Sequence, residues 1–131
     1  MASTPTVLAD TGISEGRLLQ KLLGLYAEER RVYGQVLELS RRQGEIVRNG
    51  GPLQDVRHLL EKKKGCLEII ARLERLEHGT KADWENRRHQ FSAAGRERLR
   101  GALRQVADLI EQILACEESN DRDLIEQTRA V

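Results

Sequence analysis

The feature that most constrains the fold is an apolar residue repeated every seven positions in the first half of the chain. Leu18, Leu25, Val32, Leu39 and Ile46 follow this spacing without interruption. Seven residues make nearly two turns of an α-helix, so these side chains form one stripe along a single long helix. Further apolar residues flank the stripe on both sides: Leu19, Leu22, Tyr26, Tyr33, Val36 and Val47. The apolar face is wider than a two-stranded coiled-coil seam and predicts the inner face of a helical bundle.

Capping residues place the ends of this first helix. Ser14 is a predicted N-cap, and the helix is expected to continue to about Arg48. The Asn49–Gly51 segment should end it, because glycine adopts the left-handed conformation that a helix end requires. Residues 1–13 are predicted to form a disordered leader, and residues 14–131 are predicted to form a single helical domain.

The second helix is predicted from Pro52 to His78. Proline suits the first position of a helix, where its missing N–H has no helical partner. Gly79 is the predicted C-cap, and Thr80 begins the next helix in a capping-box pattern with Asp83. A turn as short as the one at Gly79 and Thr80 would make the second helix and the helix that follows it antiparallel neighbours.

The last part of the chain predicts a short amphipathic stretch and then a long final helix. Trp84 and Phe91 lie seven residues apart, and Ser92–Gly95 is expected to bend or restart the helix. From Arg96 to the end, core-type positions recur every three or four residues, and two of them are polar, Glu117 and Asn120. The predicted fold is all-α: an elongated antiparallel bundle of three to four helices with a long first helix and a long C-terminal helix.

Charge and composition exclude several classes of function. The chain has 22 basic and 21 acidic residues, so it has no bulk attraction for nucleic acid. No apolar run approaches the roughly 20 residues needed to cross a bilayer, and no secretory signal precedes the first helix. Two cysteines are too few for a disulfide framework. These features favour a cytoplasmic protein with reduced thiols.

No pattern of reactive or metal-binding residues points to an enzyme. His58, His78 and His89 are widely separated, and the sequence lacks HExxH, CxxC and phosphate-binding glycine motifs. Cys66 and Cys116 lie on apolar helix faces and are predicted to be small residues of the core. We therefore expect no catalytic residue, no metal site and no cofactor.

The C-terminal helix is the strongest candidate for a binding surface. Its apolar residues extend over much of the helix circumference, because Leu109 and Leu114 add to Val106, Ile110 and Ile113. Such a helix either lies at the centre of a core or carries a patch for a partner helix. The sequence leaves both alternatives open.

The order of these elements resembles a known family. A leucine-rich helix from Leu18 and an Asn-Gly-Gly loop are followed by LLEKK at residues 59–63 and by Leu67, Leu73 and Glu74. A tryptophan-bearing segment then precedes a final helix that contains EESNDRDLI at residues 117–125. This arrangement is similar to the FlgN-type flagellar export chaperones over most of the chain, from Leu18 to Ile125. Asn120 and Leu124 are the best individual matches.

The resemblance implies a cytoplasmic chaperone of the type III flagellar export system. Such a chaperone binds the C-terminal helical region of hook–filament junction proteins, prevents their premature assembly and delivers them to the export gate. The expected partner-facing residues lie on the last helix: Leu103, Val106, Leu109, Ile110, Ile113, Leu114, Asn120 and Leu124. Asn120 at a core-type position is expected to set the register through side-chain hydrogen bonds.

Three other functions remain open at this stage. A chaperone for the filament cap protein would have a related helical architecture in the same export system. A structural coiled-coil homodimer or tether would have no role in export. An enzyme or a metal-binding bundle without a recognisable motif is the third alternative, and the absence of ligand patterns argues against it.

Overall fold

The computed structural model describes residues 3–130, with side chains from residue 15 to residue 129. Three long helices make up this part of the chain: α1 (Ser3–Arg48), α2 (Leu53–Arg87) and α3 (Ala93–Ala130). A single 3₁₀ turn, Arg88–Gln90, lies between α2 and α3. The predicted all-α helical bundle is confirmed.

The first helix begins earlier than its capping pattern predicts. α1 starts at Ser3, so Ser14 lies inside the helix and is not its N-cap. The backbone of residues 3–13, within the predicted leader, is helical, while the side chains of residues 1–14 lie outside the described part of the chain. A side-chain cap contributes only about 1 kcal/mol. A capping side chain therefore does not start a helix at a residue through which the backbone hydrogen bonds of the helix continue.

The end of α1 confirms the predicted glycine stop. Gly50 has a φ of 65°, the left-handed conformation that favours glycine. Its N–H donates to Val47 O at 3.1 Å, and the N–H of Gly51 donates to Ile46 O at 2.8 Å. These two bonds satisfy carbonyl groups that the helix end leaves without partners. Pro52 then stands immediately before α2 as its cap residue.

The predicted boundary at Gly79 and Thr80 is wrong. α2 continues through both residues to Arg87, and Thr80 is buried within it. This continuation keeps Trp84 on the same helix face as Ile70, and both are buried in the core. A glycine inside a helix costs only about 1 kcal/mol, which burial of a tryptophan side chain outweighs.

The chain reverses direction between α2 and α3 instead, after Arg87. Trp84 and Phe91 stack across this turn with their ring centres 4.5 Å apart. Ser92 caps α3 by accepting a hydrogen bond from the N–H of Gly95 at 3.0 Å. The N–H of Ser92 donates to Glu15 Oε1 at 2.7 Å, which ties the start of α3 to α1. The helix restart predicted at Ser92–Gly95 is confirmed.

Contacts between helices show the direction of each one. Residues of α1 and α3 that hydrogen-bond to each other are 75 to 80 positions apart in the sequence. Because this separation is nearly constant along the helices, α1 and α3 run parallel in one register. α2 is antiparallel to both. α2 and α3 each pack along α1, but within the described residues the backbones of α2 and α3 hardly approach one another.

The core consists of two apolar clusters separated by polar layers. The first cluster contains Leu19, Leu22, Tyr26, Trp84, Phe91, Leu99 and Val106. The second contains Val32, Val36 and Ile70. Glu29 lies along α1 between the residues of the two clusters, Glu77 lies along α2 in the same way, and both are buried. A second layer of buried polar residues follows Val36 along α1 and precedes Ile70 along α2.

The centre of the α1 face differs from the stripe that the heptad spacing predicts. Of the five stripe residues only Val32 is fully buried, and the other four are half-buried. The line through Leu22, Glu29, Val36 and Gln43, again seven residues apart, is buried throughout. A hydropathy pattern does not detect this line, because half of its members are polar.

Gly44 permits α1 and α3 to approach closely. Asn120 of α3 is only 2% exposed, and its Nδ2 donates to Ser40 O at 2.8 Å. A Cβ atom on Gly44 would overlap Asn120 Oδ1 and would lie 2.9 Å from Arg48 Nη1. Asn120 therefore forms its register-setting hydrogen bond within the chain and not with a partner.

This close approach predicts an unusual response to alanine. Gly44→Ala should lower the free energy of unfolding by about 1–3 kcal/mol through overpacking, although alanine is the better helix former. Gly24→Ala is the matched control, because a Cβ atom there meets nothing within 4 Å. The control should raise the free energy of unfolding by about 0.5–1 kcal/mol. Urea denaturation measures both, and a stabilised Gly44→Ala variant would contradict the assigned contact.

Candidate functional site: the groove between α2 and α3

A groove of about 430 Å³ runs between α2 and α3, with α1 as its floor. It exists because α2 and α3 both pack on α1 without closing on each other. Tyr26, Glu29 and Tyr33 of α1 form the floor. The wall from α2 consists of Glu74, Glu77, His78 and Lys81, and the wall from α3 consists of Leu103, Val106, Ala107 and Ile110. We call this site the α2–α3 groove.

Two buried carboxyl groups meet at the floor of the groove. Glu29 is 4% exposed and Glu77 is 2% exposed. Lys81 Nζ lies 3.2 Å from Glu77 Oε1 and 5.7 Å from the centre of the Tyr26 ring. Glu29 Oε1 and Glu77 Oε2 are both buried. No fixed N–H or O–H donor reaches these two oxygens, so the two carboxyl groups hydrogen-bond to each other.

The environment of Glu29 strongly favours its protonated form. Burial, the hydrogen bond and charge of Glu77 and the charge of Glu74 together raise the pKa of Glu29 to about 8, against the opposing charge of Lys81. At neutral pH Glu29 therefore retains its proton, which the two carboxyl groups share. Burial is also the main reason that the pKa values of Tyr26 and Tyr33 are raised.

Exposed leucines extend both walls of the groove beyond the acid pair. On α2, Leu60 and Leu67 continue the line of Glu74 at intervals of seven residues, and Leu67 is 51% exposed. On α3, Leu114 is 63% exposed and lies four residues after Ile110, on the same side of the helix. The groove thus has an acidic floor and apolar rims.

Lys63 connects the helices at the next polar layer. Its Nζ donates to Gln43 Oε1 at 2.9 Å and forms an ion pair with Glu117 of α3. Ser40 Oγ donates to the same carboxylate at 2.6 Å. Burial by itself raises the pKa of Glu117, but the hydrogen bonds from Lys63 and Ser40 and the charge of Lys63 outweigh it and lower the pKa. One ionised carboxylate therefore joins all three helices.

Three of the eight residues predicted to face a partner have groove positions with accessible side chains. Leu103 and Ile110 belong to the α3 wall, and Leu114 extends it. Val106 also lines the groove but is buried in the first apolar cluster.

The other four predicted residues lie elsewhere. Asn120 is buried against α1, so in this structure it is unavailable to a partner. Ile113 is half-buried against the second apolar cluster. Leu109 is half-buried on the helix line of Ala102, at a different angle from the groove wall. Leu124 is exposed, seven residues beyond Glu117.

Sequence reasoning missed the acid pair and the whole α2 wall. Glu29 lies seven residues from both Leu22 and Val36, and Glu77 lies seven residues from both Ile70 and Trp84. A charged residue between apolar residues at this spacing is the signal that would have identified each of them. The same signal marks Lys63, seven residues from Val56 and Ile70.

Comparison with protein-family models, curated proteins and solved structures found no match to this chain. In the part of the chain that the structure describes, no helix combines the length and the apolar character needed to cross a membrane. The same residues contain no group of three or more His, Cys, Asp or Glu side chains arranged to hold a metal ion.

Proposed function

We propose that the protein is a non-catalytic export chaperone of the cytoplasm that binds an amphipathic helix in the α2–α3 groove. The proposed ligand is the C-terminal helical region of a hook–filament junction protein of the flagellum. The chaperone covers this region, prevents early assembly and delivers the protein to the type III export gate. The resemblance of residues 59–63 and 117–125 to FlgN-type chaperones supports this choice of ligand.

The observation that carries the proposal is the open position beside α1. In a four-helix bundle a further helix would lie between α2 and α3, where this chain has a groove. Leu67 and Leu114 are exposed on its two walls and would be buried by such a helix. An amphipathic helix docks in a groove through apolar residues of this kind.

A double substitution on the two rims tests the proposal. Leu67→Asp with Leu114→Asp should weaken binding of a purified junction protein at least about 100-fold, because the two leucines, once buried, together contribute roughly 3 kcal/mol or more. The melting temperature should hardly change, since both side chains are exposed. Titration calorimetry with the full chain measures the affinity.

Leu76→Asp is the matched control for this experiment. Leu76 is 60% exposed on α2 and lies nine residues from Leu67, which places it on the opposite side of the helix. It should leave the affinity unchanged. Equal losses for the control and the rim variant would contradict a site in the groove.

Other partners would give different results in the same assay. Binding of the filament cap protein alone would assign the chain to the cap chaperone class. Failure to bind either protein, together with a dimer at nanomolar concentration, would favour the structural tether.

A further inference from the structure

A basic pocket lies at the end of the α2–α3 groove that is nearest to the turn between the two helices. Its volume is about 480 Å³, and Leu103 of the α3 wall lines both the pocket and the groove, so the two are continuous. The ionisable residues that line the pocket are Glu85, Arg88, His89, Arg96 and Arg100. Three guanidinium groups thus face one carboxylate, and the pocket favours an anionic ligand.

Two of these guanidinium groups are available to a partner, and the third is held in place by the chain. Arg96 Nη1 donates to the backbone oxygens of Arg88 and Phe91, both at 3.3 Å. The side chains of Arg88 and Arg100 are 64% and 62% exposed, and each pairs with an exposed glutamate three residues before it. Exposed ion pairs of this kind contribute little free energy. A carboxylate of a bound partner can therefore replace these glutamates.

The α3 wall carries the opposite charge at the other end of the groove. Asp121 is exposed and lies seven residues after Leu114, on the same side of α3. Glu118, three residues before Asp121, is also exposed. On the α2 side, Lys63 is buried and already paired with Glu117. The α3 wall therefore changes from basic through apolar to acidic between Arg96 and Asp121, over a length of about 37 Å.

We infer that the helix bound in the α2–α3 groove lies antiparallel to α3 and places acidic side chains of its last turn in the basic pocket. This inference rests on the proposed function and specifies the orientation and the chemistry of its ligand. A helix carries a partial negative charge at its C-terminal end and a partial positive charge at its N-terminal end. The basic pocket favours the C-terminal end, and Glu118 and Asp121 favour the N-terminal end, so both ends of the groove select the same direction.

The partner segment is thus an amphipathic helix of about 25 residues, the number that spans the α3 wall at 1.5 Å per residue. Its apolar side chains pack against Leu67 and Leu114, and carboxylates of its last turn pair with Arg88 and Arg100. A guanidinium group binds a carboxylate through two parallel hydrogen bonds. Acidic residues in the last turn destabilise an isolated helix, because they repel its negative end. The arginines offset this repulsion only in the complex, so the segment gains helix when it binds.

Trp84 can report the orientation directly, because it lines the basic pocket and the chain has no other tryptophan. The probe is a synthetic amidated peptide of about 25 residues, with leucine at heptad core positions and glutamate in its last turn. It carries a dansyl group at its C-terminal end or, in a second preparation, at its N-terminal end. When the full chain is titrated with each peptide, the C-terminal label should quench Trp84 by energy transfer several-fold more strongly than the N-terminal label.

Substitution of the two available arginines tests the charge. Arg88→Gln with Arg100→Gln should weaken binding of the peptide about tenfold, measured by dansyl anisotropy. A second peptide with glutamine in its last turn should bind the wild-type chain and this variant equally. Arg75→Gln with Arg98→Gln is the matched control, because it removes the same charge from exposed residues that do not line the pocket. The control should leave the affinity of both peptides unchanged.

The remaining outcomes separate the inference from the proposed function. Equal or stronger quenching by the N-terminal label would overturn the inference and leave the helix-binding groove intact. An unchanged affinity in Arg88→Gln with Arg100→Gln would do the same. Binding of neither peptide, or binding that survives Leu67→Asp with Leu114→Asp, would overturn both. A dimer of the chain that Leu67→Asp dissociates would show that a second copy fills the groove, which would also overturn the inference.

Discussion

Replacing Lys63 with alanine should lower the free energy of unfolding by about 3 kcal/mol. Lys63 is 7% exposed, and its Nζ joins Gln43 of α1 to Glu117 of α3. Its removal leaves the carboxylate of Glu117 without a cation in a partly buried position. The expected loss is at the lower end for a buried ion pair, because the side chain of Glu117 is 31% exposed and water can reach it.

Denaturation by urea, followed by circular dichroism, measures this loss. Lys64→Ala is the matched control, since Lys64 is an exposed neighbour on the same helix, and its effect should stay within about 0.5 kcal/mol. Lys63→Met with Glu117→Gln should recover most of the stability, because it removes both charges and keeps the aliphatic volume. Equal effects of Lys63→Ala and Lys64→Ala would contradict the role of the network in joining the helices.

Glu29→Gln should raise the free energy of unfolding at pH 8 by up to about 4 kcal/mol and should remove most of its dependence on pH. The pKa of Glu29 rises from 4.5 to about 8 on folding. Between these values folding takes up a proton, so the contribution of Glu29 is complete below pH 4.5 and is lost as the pH rises to about 8. Glutamine cannot ionise, and its amide group can still donate a hydrogen bond to Glu77.

The measurement is a series of urea denaturation curves from pH 5 to pH 9. The wild-type protein should become less stable across this range, while Glu29→Gln should remain nearly constant between pH 5 and pH 8. Glu45→Gln, an exposed substitution on the same helix, should follow the wild-type profile. A wild-type protein that gains stability as the pH rises to 8 would show that the acid pair does not share a proton in the folded chain.

The eight residues expected to face a partner show how far the site could be predicted. Leu103, Ile110 and Leu114 could be placed on one side of α3 because apolar residues on a helix show their spacing in the sequence alone. The sequence did not reveal the α2 wall, because the apolar pattern of one helix does not show which part of its surface the neighbouring helices leave uncovered. Val106 and Asn120 were placed on the partner-facing side, yet α1 covers both.

The buried polar residues also show what a local sequence pattern does not reveal. Glu29, Lys63 and Glu77 occupy core positions at heptad spacing, but each has a residue type that usually lies on the surface. Whether such a residue is buried depends on a partner from a different helix, such as Glu117 for Lys63. That partner is distant in sequence, so no local pattern records the pairing.

The sequence by itself determined the helical class, the apolar faces, the glycine stop at Asn49–Gly51 and the restart at Ser92. These features follow from backbone propensity, capping and periodicity, which act over a few residues. Only the tertiary structure decided that α2 continues through Gly79, that polar layers interrupt the core and that α2 and α3 leave a groove. Each of these depends on packing between distant segments, where burial of a side chain such as Trp84 outweighs the small local preference of a glycine or a cap.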